Sequence, residues 1–498
     1  MTRKTDDTAT DMTAPAGRGV VVIAQNGEVI RYDSTGLVMR LSDKVIADIG
    51  MRLGATLHAA EGRESAANVD RLDPHEFLEG IDAWDVRSAD GWLYFNAHLP
   101  GRQGVRGFRR EVDGGAILAD APGPLCGVIG IGGSRAAFAI DGRSDFPQHV
   151  LAPADDIGAV GHSAIGKPER IDKLEPLREL THEALVADSM LGWQMDKFEA
   201  LPLFVTRVET DSSASAADLA TGAAFDNMIA AAGNFVSAAR HLGKKPRLIC
   251  VTVDYGLEDV SSSATDYRDG ILDLMRKTET ELARLGIERP VFVARMESGD
   301  AGLSRKGALE GQWELGWNHG DHKFIYSAPS YMFTYDEFDR PTPDALREMA
   351  EMTAIAVAEA DTWMCPTFYL AERSTHDPKV IRLIARANSR LEIDDSDPFD
   401  AGNAAGLRLI GAKNNAEIQS VSLDPMDPQT LILELTEAPK GDDLRIAYAY
   451  GAEPRAGRYH ANCGAIRDTW SLESATRRTL RRWALPCLLP VRAGGGDA

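Results

Sequence analysis

From residue 155 onward the apolar positions switch between two periods. Phe225, Met228, Ile229, Ala232, Phe235, Val236 and Ala239 recur at intervals of three and four, the stripe of a helix with one buried side. Residues 248–253 follow as an apolar run of strand length. Tyr267, Ile271, Leu274, Met275, Leu282 and Leu285 then make a second helical stripe, closed by Gly286. Residues 290–294 and 324–326 read as further strands. Leu346, Met349, Ala350 and Thr353 recur at helical spacing after Pro343, a residue suited to the first helical turn. Strands separated by helices long enough for crossovers predict a parallel sheet covered on both faces. Ligands of such sheets bind beyond the carboxyl ends of the strands, so the loop 331–342 is where chemistry is expected.

The flanking text is different. Val20 to Ile23, Asn26-Gly27 and Glu28 to Ile30 read as a hairpin, and short runs at 92–95, 116–118 and 136–140 are punctuated by Gly, Asp and Pro. This predicts a β-rich N-terminal domain over 19–153, after a flexible tail over 1–18 that only a partner would order. Within that domain the run Gly127-Val128-Ile129-Gly130-Ile131-Gly132-Gly133 reads as a glycine-rich turn between strands. No helical pattern follows it, so a dinucleotide-binding loop is rejected. After an α/β domain over 154–362, short alternating runs at 381–384, 407–410, 418–421, 431–435 and 444–448 predict a β-sandwich-like domain over 363–498. The closing RRTLRRWALPCLLPV holds Pro486 and Pro490, which break a membrane-surface helix and favour a strand.

Charge and cysteine usage narrow the partners. A formal net charge of −21 argues against a nucleic-acid backbone and favours a glycan or another protein. Five scattered cysteines without a CxxC pair give neither a disulfide framework nor a zinc site, and no cofactor or metal is expected. The neighbouring acids Asp254, Glu258 and Asp259 do not make a cation site by themselves. The first residues have no apolar signal core and no run is long enough to span a bilayer, which predicts synthesis in the cytoplasm without membrane insertion. An extracellular role would then need another exit route, such as lysis.

One serine stands out. Gly161-His162-Ser163 follows the short run 157–160, and flanking glycines let a serine hydroxyl reach a sheet edge as a nucleophile. Tyr255-Gly256-Leu257-Glu258-Asp259 follows a strand, and Tyr331, Asp336, Asp339 and Arg340 occupy the loop before the helix that carries Thr342, Asp344, Arg347 and Glu351. Asn462, Gly464, Ile466, Arg467 and Asp468, with Trp483, form a further cluster near the end. In this order the segments resemble the SGNH (GDSL-like) hydrolases, in the branch similar to sialate O-acetylesterases and to domains of phage and prophage proteins. The resemblance runs over about residues 155–491. It implies an SGNH-like parallel sheet flanked by helices, Ser163 in the nucleophile's place and Asp336 in that of the acid.

The sequence also departs from that pattern. Where the family has Asp-x-x-His, this chain has Asp336-Glu337-Phe338-Asp339, and no histidine lies between His322 and His376. Since the imidazole takes the serine proton, the general base is missing from its place. His162 adjoins Ser163 too closely in sequence to turn toward it, and His319 and His322 fall at the wrong end of their strand. The oxyanion glycine expected before the helix at Phe225 is also absent from residues 210–215. Ser163 and Asp336 are thus vestigial on this reading, while Tyr331, Asp336, Asp339, Arg340 and Asp259 are expected to bind sugar. The resemblance implies a degenerate scaffold that binds a bacterial surface polysaccharide, as an oligomeric spike or fibre component among the structural proteins of a phage-like particle. The alternatives are an active carbohydrate O-acetylesterase and a purely structural assembly protein.

Overall fold

The computed structural model describes residues 78, 80–256, 258–298, 306–317, 320–338, 340–452 and 462–494, together with three strands within residues 19–39. The chain divides into two units, Met1–Asp73 and Pro74–Ala498. In the first, Gly19–Ala24, Gly27–Asp33 and Gly36–Met39 form an antiparallel meander. The predicted tail over 1–18 lies outside the described residues.

The second unit has a mixed α/β fold centred on a seven-stranded sheet. In chain order its elements are β1 (Leu125–Gly132), β2 (Val150–Pro153), β3 (Leu174–Pro176), α1 (His182–Asp196), β4 (Leu203–Thr210), α2 (Ala223–His241), β5 (Pro246–Asp254), α3 (Ala264–Arg284), β6 (Val291–Met296), α4 (Lys306–Trp317), β7 (Phe324–Pro329) and α5 (Pro343–Ala358). The order across the sheet is β3-β2-β4-β1-β5-β6-β7, and every pairing is parallel except that of the edge strand β3.

All eight residues of β1 are buried. Side chains alternate across a strand, so Cys126 and Val128 join the core under α1 and α5, while Leu125, Ile129 and Ile131 join the core under α2 and α3. Capping fixes where these helices start. Thr181 accepts from the Ala184 amide, Ser263 from Asp266, and Thr342 from Ala345 just ahead of Pro343.

The glycine run is therefore the central strand of the sheet, not a turn inside an N-terminal β domain, and the expected boundary at residue 153 falls inside the α/β layer. Its glycines are contact positions. A Cβ on Gly127 would lie 3.2 Å from the Phe235 ring of α2, and one on Gly130 would lie 2.5 Å from the Glu183 carboxylate of α1. What remains of the expected β-rich segment within the second unit is a meander of Ala83–Ala89, Trp92–His98, Val105–Glu111 and Leu118–Ala119 that leads into β1.

Beyond α5, the strands between Thr367 and Ala493 form a seven-stranded and a three-stranded sheet. They share one apolar core with the α1/α5 face, in which Met349, Phe368, Tyr448 and Trp483 are all buried. Tyr331 is a pin of this junction. It is 3% exposed, its hydroxyl donates to the Ala484 carbonyl (2.8 Å), and it lies 3.1 Å from the Tyr448 hydroxyl. Arg478 adds a second link, to the Glu348 carboxylate (2.8 Å) and the Met332 carbonyl (2.7 Å). Among the described residues no helix is long and apolar enough to cross a membrane.

His149, just before β2, is 1% exposed and its Nδ1–H donates to the Pro202 carbonyl at 3.0 Å. Burial pulls its pKa down to about 4, the Pro202 hydrogen bond opposing and Arg106 adding to the effect. An unfolded chain takes up this proton near pH 6.5 and the folded one does not, so the stability is present above pH 6.5 and drains away as the pH falls toward 4. In urea titrations at several pH values, His149→Gln should lose up to about 3 kcal/mol less than the parent chain over that window. Superimposable pH profiles would contradict this assignment.

Candidate functional site at the carboxyl end of the sheet

The chain leaves β1 between the ends of its two neighbours. Gly132 O accepts from the Asp211 amide beyond β4 (2.9 Å), and the Gly133 amide donates to Asp254 O at the end of β5 (3.1 Å). Only glycine fits at 132, because a Cβ there would lie 2.2 Å from the Asp254 backbone oxygen, and one on Gly133 would lie 2.9 Å from the Glu258 side chain and push it aside. The next residue, Ser134, opens the short 3₁₀ turn Ser134–Ala137 and is exposed. The chain departs from β1 toward β2 and β4 on one side and later returns to β5 on the other. Ser134 thus sits at the point where the strand order reverses, the usual ligand crevice of an open parallel sheet.

The residue after this serine, Arg135, belongs to a cluster of buried charges at the same end of the sheet. The Arg135 guanidinium is 3.3 Å from Glu297 and 3.9 Å from Glu258, and Arg295 on β6 pairs with Asp254. Arg295 also approaches His182 Nδ1 at 3.5 Å, and the other ring nitrogen of His182 meets the Thr353 hydroxyl of α5 at 3.1 Å. Thr353 continues the chain of contacts to the Ser327 hydroxyl at 3.3 Å. Arg135, His182, Asp254, Arg295 and Glu297, with Tyr335, Leu346 and Met349, line a cavity of about 20 Å³, room for a single water. Burial raises the pKa of Glu258 and of Glu297, with Arg135 opposing it in both. Burial, reinforced by the Arg295 charge, holds the His182 imidazole well below its ordinary range and therefore neutral.

Ser163 is elsewhere. The residues before it run beside β4, where Val160 bridges Val208 and the Gly161 amide donates to Val208 O (2.7 Å). Glu209 holds the loop by accepting the His162 amide at 2.8 Å, and the Ser163 hydroxyl accepts from Thr210 at 3.4 Å. Ser163 therefore follows an outer segment of the sheet, and the place after the central strand belongs to Ser134. The His162 ring packs on Gly166. His322 lies near Glu279, at the amino end of β7.

Two of the expected sugar-binding residues are occupied by the fold. Asp259 is 3% exposed and accepts from the Ala216 amide (2.8 Å), the Ser262 amide (2.9 Å) and hydroxyl (2.6 Å), and the Ser261 amide (3.2 Å). Burial pushes its pKa up, but these donors outweigh it and the carboxyl is held below its usual range. It ties the loop after β5 to the helical turn Ala216–Leu219 and has no face for a sugar. Tyr331 likewise spends its ring and hydroxyl on the C-terminal sheets, as described above. Asp336 is exposed but caps its own turn, one oxygen accepting the Phe338 and Arg340 amides at 2.9 Å each. The exposed Arg340 lies over the Phe338 ring at 5.7 Å. Asp339 and His319 lie outside the described residues.

The loop expected to lack an oxyanion donor has a physical counterpart. Asp211 Oδ1 accepts from the Ser213 amide (2.9 Å), the Ser213 hydroxyl (2.8 Å) and the Ala214 amide (3.2 Å), so those N–H groups are consumed within the loop. The sequence reading missed Ser134, Arg135, Glu297 and His182. The available signal was Gly132-Gly133-Ser134 directly after an apolar run, a strand followed by small residues and a serine.

The second unit is thus an α/β protein with a serine at its topological switch point and a cluster of buried, ion-paired side chains at the same end of the sheet. No protein-family model and no curated protein matches the chain. Among solved structures, a carbohydrate acetylesterase from Xanthomonas citri overlaps it with a TM-score of 0.48 at 14% identity, covering 80% of this chain and 95% of that one. A protein from Arabidopsis thaliana does so with a TM-score of 0.32 at 11% identity, over 47% of this chain and 99% of that one. The N-terminal part of the bacterial S-layer protein SbsC gives 0.17 at 8% identity, over 54% and 38%.

The two aspartates should separate in an unfolding experiment. Asp259→Ala strands several buried donors and should cost about 3 kcal/mol, whereas Asp336→Ala at an exposed turn should cost no more than about 1 kcal/mol. Equal losses in chemical denaturation would contradict the structural role given to Asp259.

Proposed function

We propose that this chain binds a bacterial surface polysaccharide at the carboxyl end of an SGNH-like sheet without hydrolysing it, as a component of a spike or fibre of a phage-like particle. The observation that carries the non-hydrolytic part is the engagement of the carboxylates and the histidine at the carboxyl end of the sheet. Glu258 and Glu297 share Arg135, Asp254 is held by Arg295, and the neutral His182 is buried against Thr353 and Arg295. A serine hydroxyl without a base near pH 7 stays protonated and is a weak nucleophile, and loss of a triad member costs orders of magnitude in rate.

The rim at that end of the sheet offers what a sugar needs. Asp336 and Arg340 supply polar groups, and Ile165, Val260 and Phe338 are exposed apolar side chains on loops at the same end of the sheet. The carbohydrate and particle parts of the reading rest on the motif resemblance. On the same basis we read the flanking β-rich regions as assembly modules for a homo-oligomer and its neighbouring structural proteins.

A second reading, an active carbohydrate O-acetylesterase, is favoured by one observation, the placement of Ser134. Acetate release from an acetylated oligosaccharide, with retention on the polysaccharide in parallel, separates the readings. The binding reading expects no more acetate from the parent chain than from Ser134→Ala or Ser163→Ala. It also expects unchanged retention in both, and retention weakened about tenfold in Asp336→Ala/Arg340→Ala. Turnover that vanishes in Ser134→Ala would establish the esterase instead, and absence of any glycan retention would leave a structural assembly protein.

A further inference from the structure

A second recess lies away from the Ser134 crevice, where the Trp92 meander, the edge strand β3 and the last turn of α2 meet. α2 has 19 residues and so spans about 28 Å, from the carboxyl end of the sheet at Ala223 to the amino end at His241. At the His241 end is a pocket of about 300 Å³, within the ordinary range for small ligands, lined by Trp92, Glu111, Asp172, Lys173 and His241 among others. An adjoining recess of about 350 Å³ shares Asp172 and His241 and adds Arg170, Ser237 and Arg240.

The local sequence builds both recesses. Asn227 and Asn234, seven residues apart on one side of α2, hold the incoming segment along the helix. Asn227 Nδ2 donates to Gly166 O (3.0 Å), Asn234 Nδ2 to Glu169 O (2.8 Å), and Asn234 Oδ1 accepts the Ile171 amide (3.1 Å). Ser237 and His241 continue the same side of the helix, with Arg240 beside them, so Arg170 is carried to Arg240.

The two recesses differ in charge. In the first, Glu111 already joins Lys173 (2.5 Å) and His241 (2.8 Å), making a polar floor beside the Trp92 indole, whose ring centroid is 5.7 Å from that of His241. In the second, the Asp172 carboxylate lies 4.0 Å from His241, while Arg170 and Arg240 have no ion-pair partner among the described residues, in a chain whose formal net charge is −21. Two unpaired guanidinium groups beside a sugar-sized pocket are complementary to a carboxylate carried on a ring, which arginine can grip in bidentate fashion.

We infer that this double recess is a second saccharide site, selective for a hexuronate unit, with the ring in the Trp92 pocket and the carboxylate on Arg170 and Arg240. The saccharide class rests on the carbohydrate reading given above; the acidic group rests on the arginines. Titration calorimetry of the full chain with a galacturonic acid tetrasaccharide and with its carboxyl-reduced, neutral form tests this. The acidic form should bind at least tenfold more tightly. Arg170→Gln/Arg240→Gln, which breaks no ion pair recorded among the described residues, should abolish that preference, while Ser134→Ala and Asp336→Ala/Arg340→Ala should leave it intact. No binding of the acidic form, no preference for it, or a preference that survives the double arginine variant would overturn the inference. If the tetrasaccharide's binding is lost in Asp336→Ala/Arg340→Ala but kept in the arginine variant, this site fails while the crevice reading stands.

Discussion

The close approach of two helices and two carboxylates to one glycine strand is the constraint on which the structure depends. β1 lies at the centre of the parallel sheet and is buried throughout. Gly127 admits the Phe235 ring from one side, Gly130 admits Glu183 from the other, and Gly132 and Gly133 let the chain pass between Asp254 and Glu258. Any side chain at Gly130 would displace both Glu183 and the Thr252 hydroxyl, which are joined at 2.5 Å. The same narrowness delivers Ser134 to the surface with its neighbours already fixed.

Buried charge organises what lies around that strand. Arg207, Asp155 and Glu209 are almost completely buried and linked at 2.6 and 3.2 Å, and Arg207 also donates to Gly158 O at 2.6 Å. Such groups tolerate burial only when paired and hydrogen-bonded, so the triad fixes the course of the loop that ends at Ser163. Near the C-terminus Asp468 has a fully buried side chain and is bound by Arg482 at 2.5 Å, while Arg467 meets Asp394 at 2.7 Å. The charged residues of that terminal cluster therefore tie together the strands of the three-stranded sheet.

Three of the helices, α2, α3 and α5, and three of the parallel strands, β5, β6 and β7, were legible because packing alone determines their text. The stripe from Phe225 to Ala239 became α2, that from Tyr267 to Leu285 became α3 and its cap, and the residues after Pro343 became α5. The central strand was not legible, since glycine ordinarily marks turns and its use here depends on helices that arrive much later in the chain, Glu183 for Gly130 and Phe235 for Gly127. The place after the central strand was hidden for the same reason: Ser163 carries glycines on both sides in sequence, but the strand order puts Ser134 there. Tyr331 and Asp259 looked like loop residues free for a ligand. Their partners, Ala484 and Ala216, are distant in sequence and local reading has no access to them.

The proposed binding function turns on the hydroxyl of Ser134 being unactivated, with the nearby carboxylates engaged by Arg135 and Arg295. A fluorophosphonate probe measures this directly, because it modifies serines whose proton a neighbouring base removes. Incubated with the full chain at pH 7 and followed by intact mass, it should leave the protein unmodified at times when a control serine esterase is fully labelled. Stoichiometric labelling that disappears in Ser134→Ala would contradict the account.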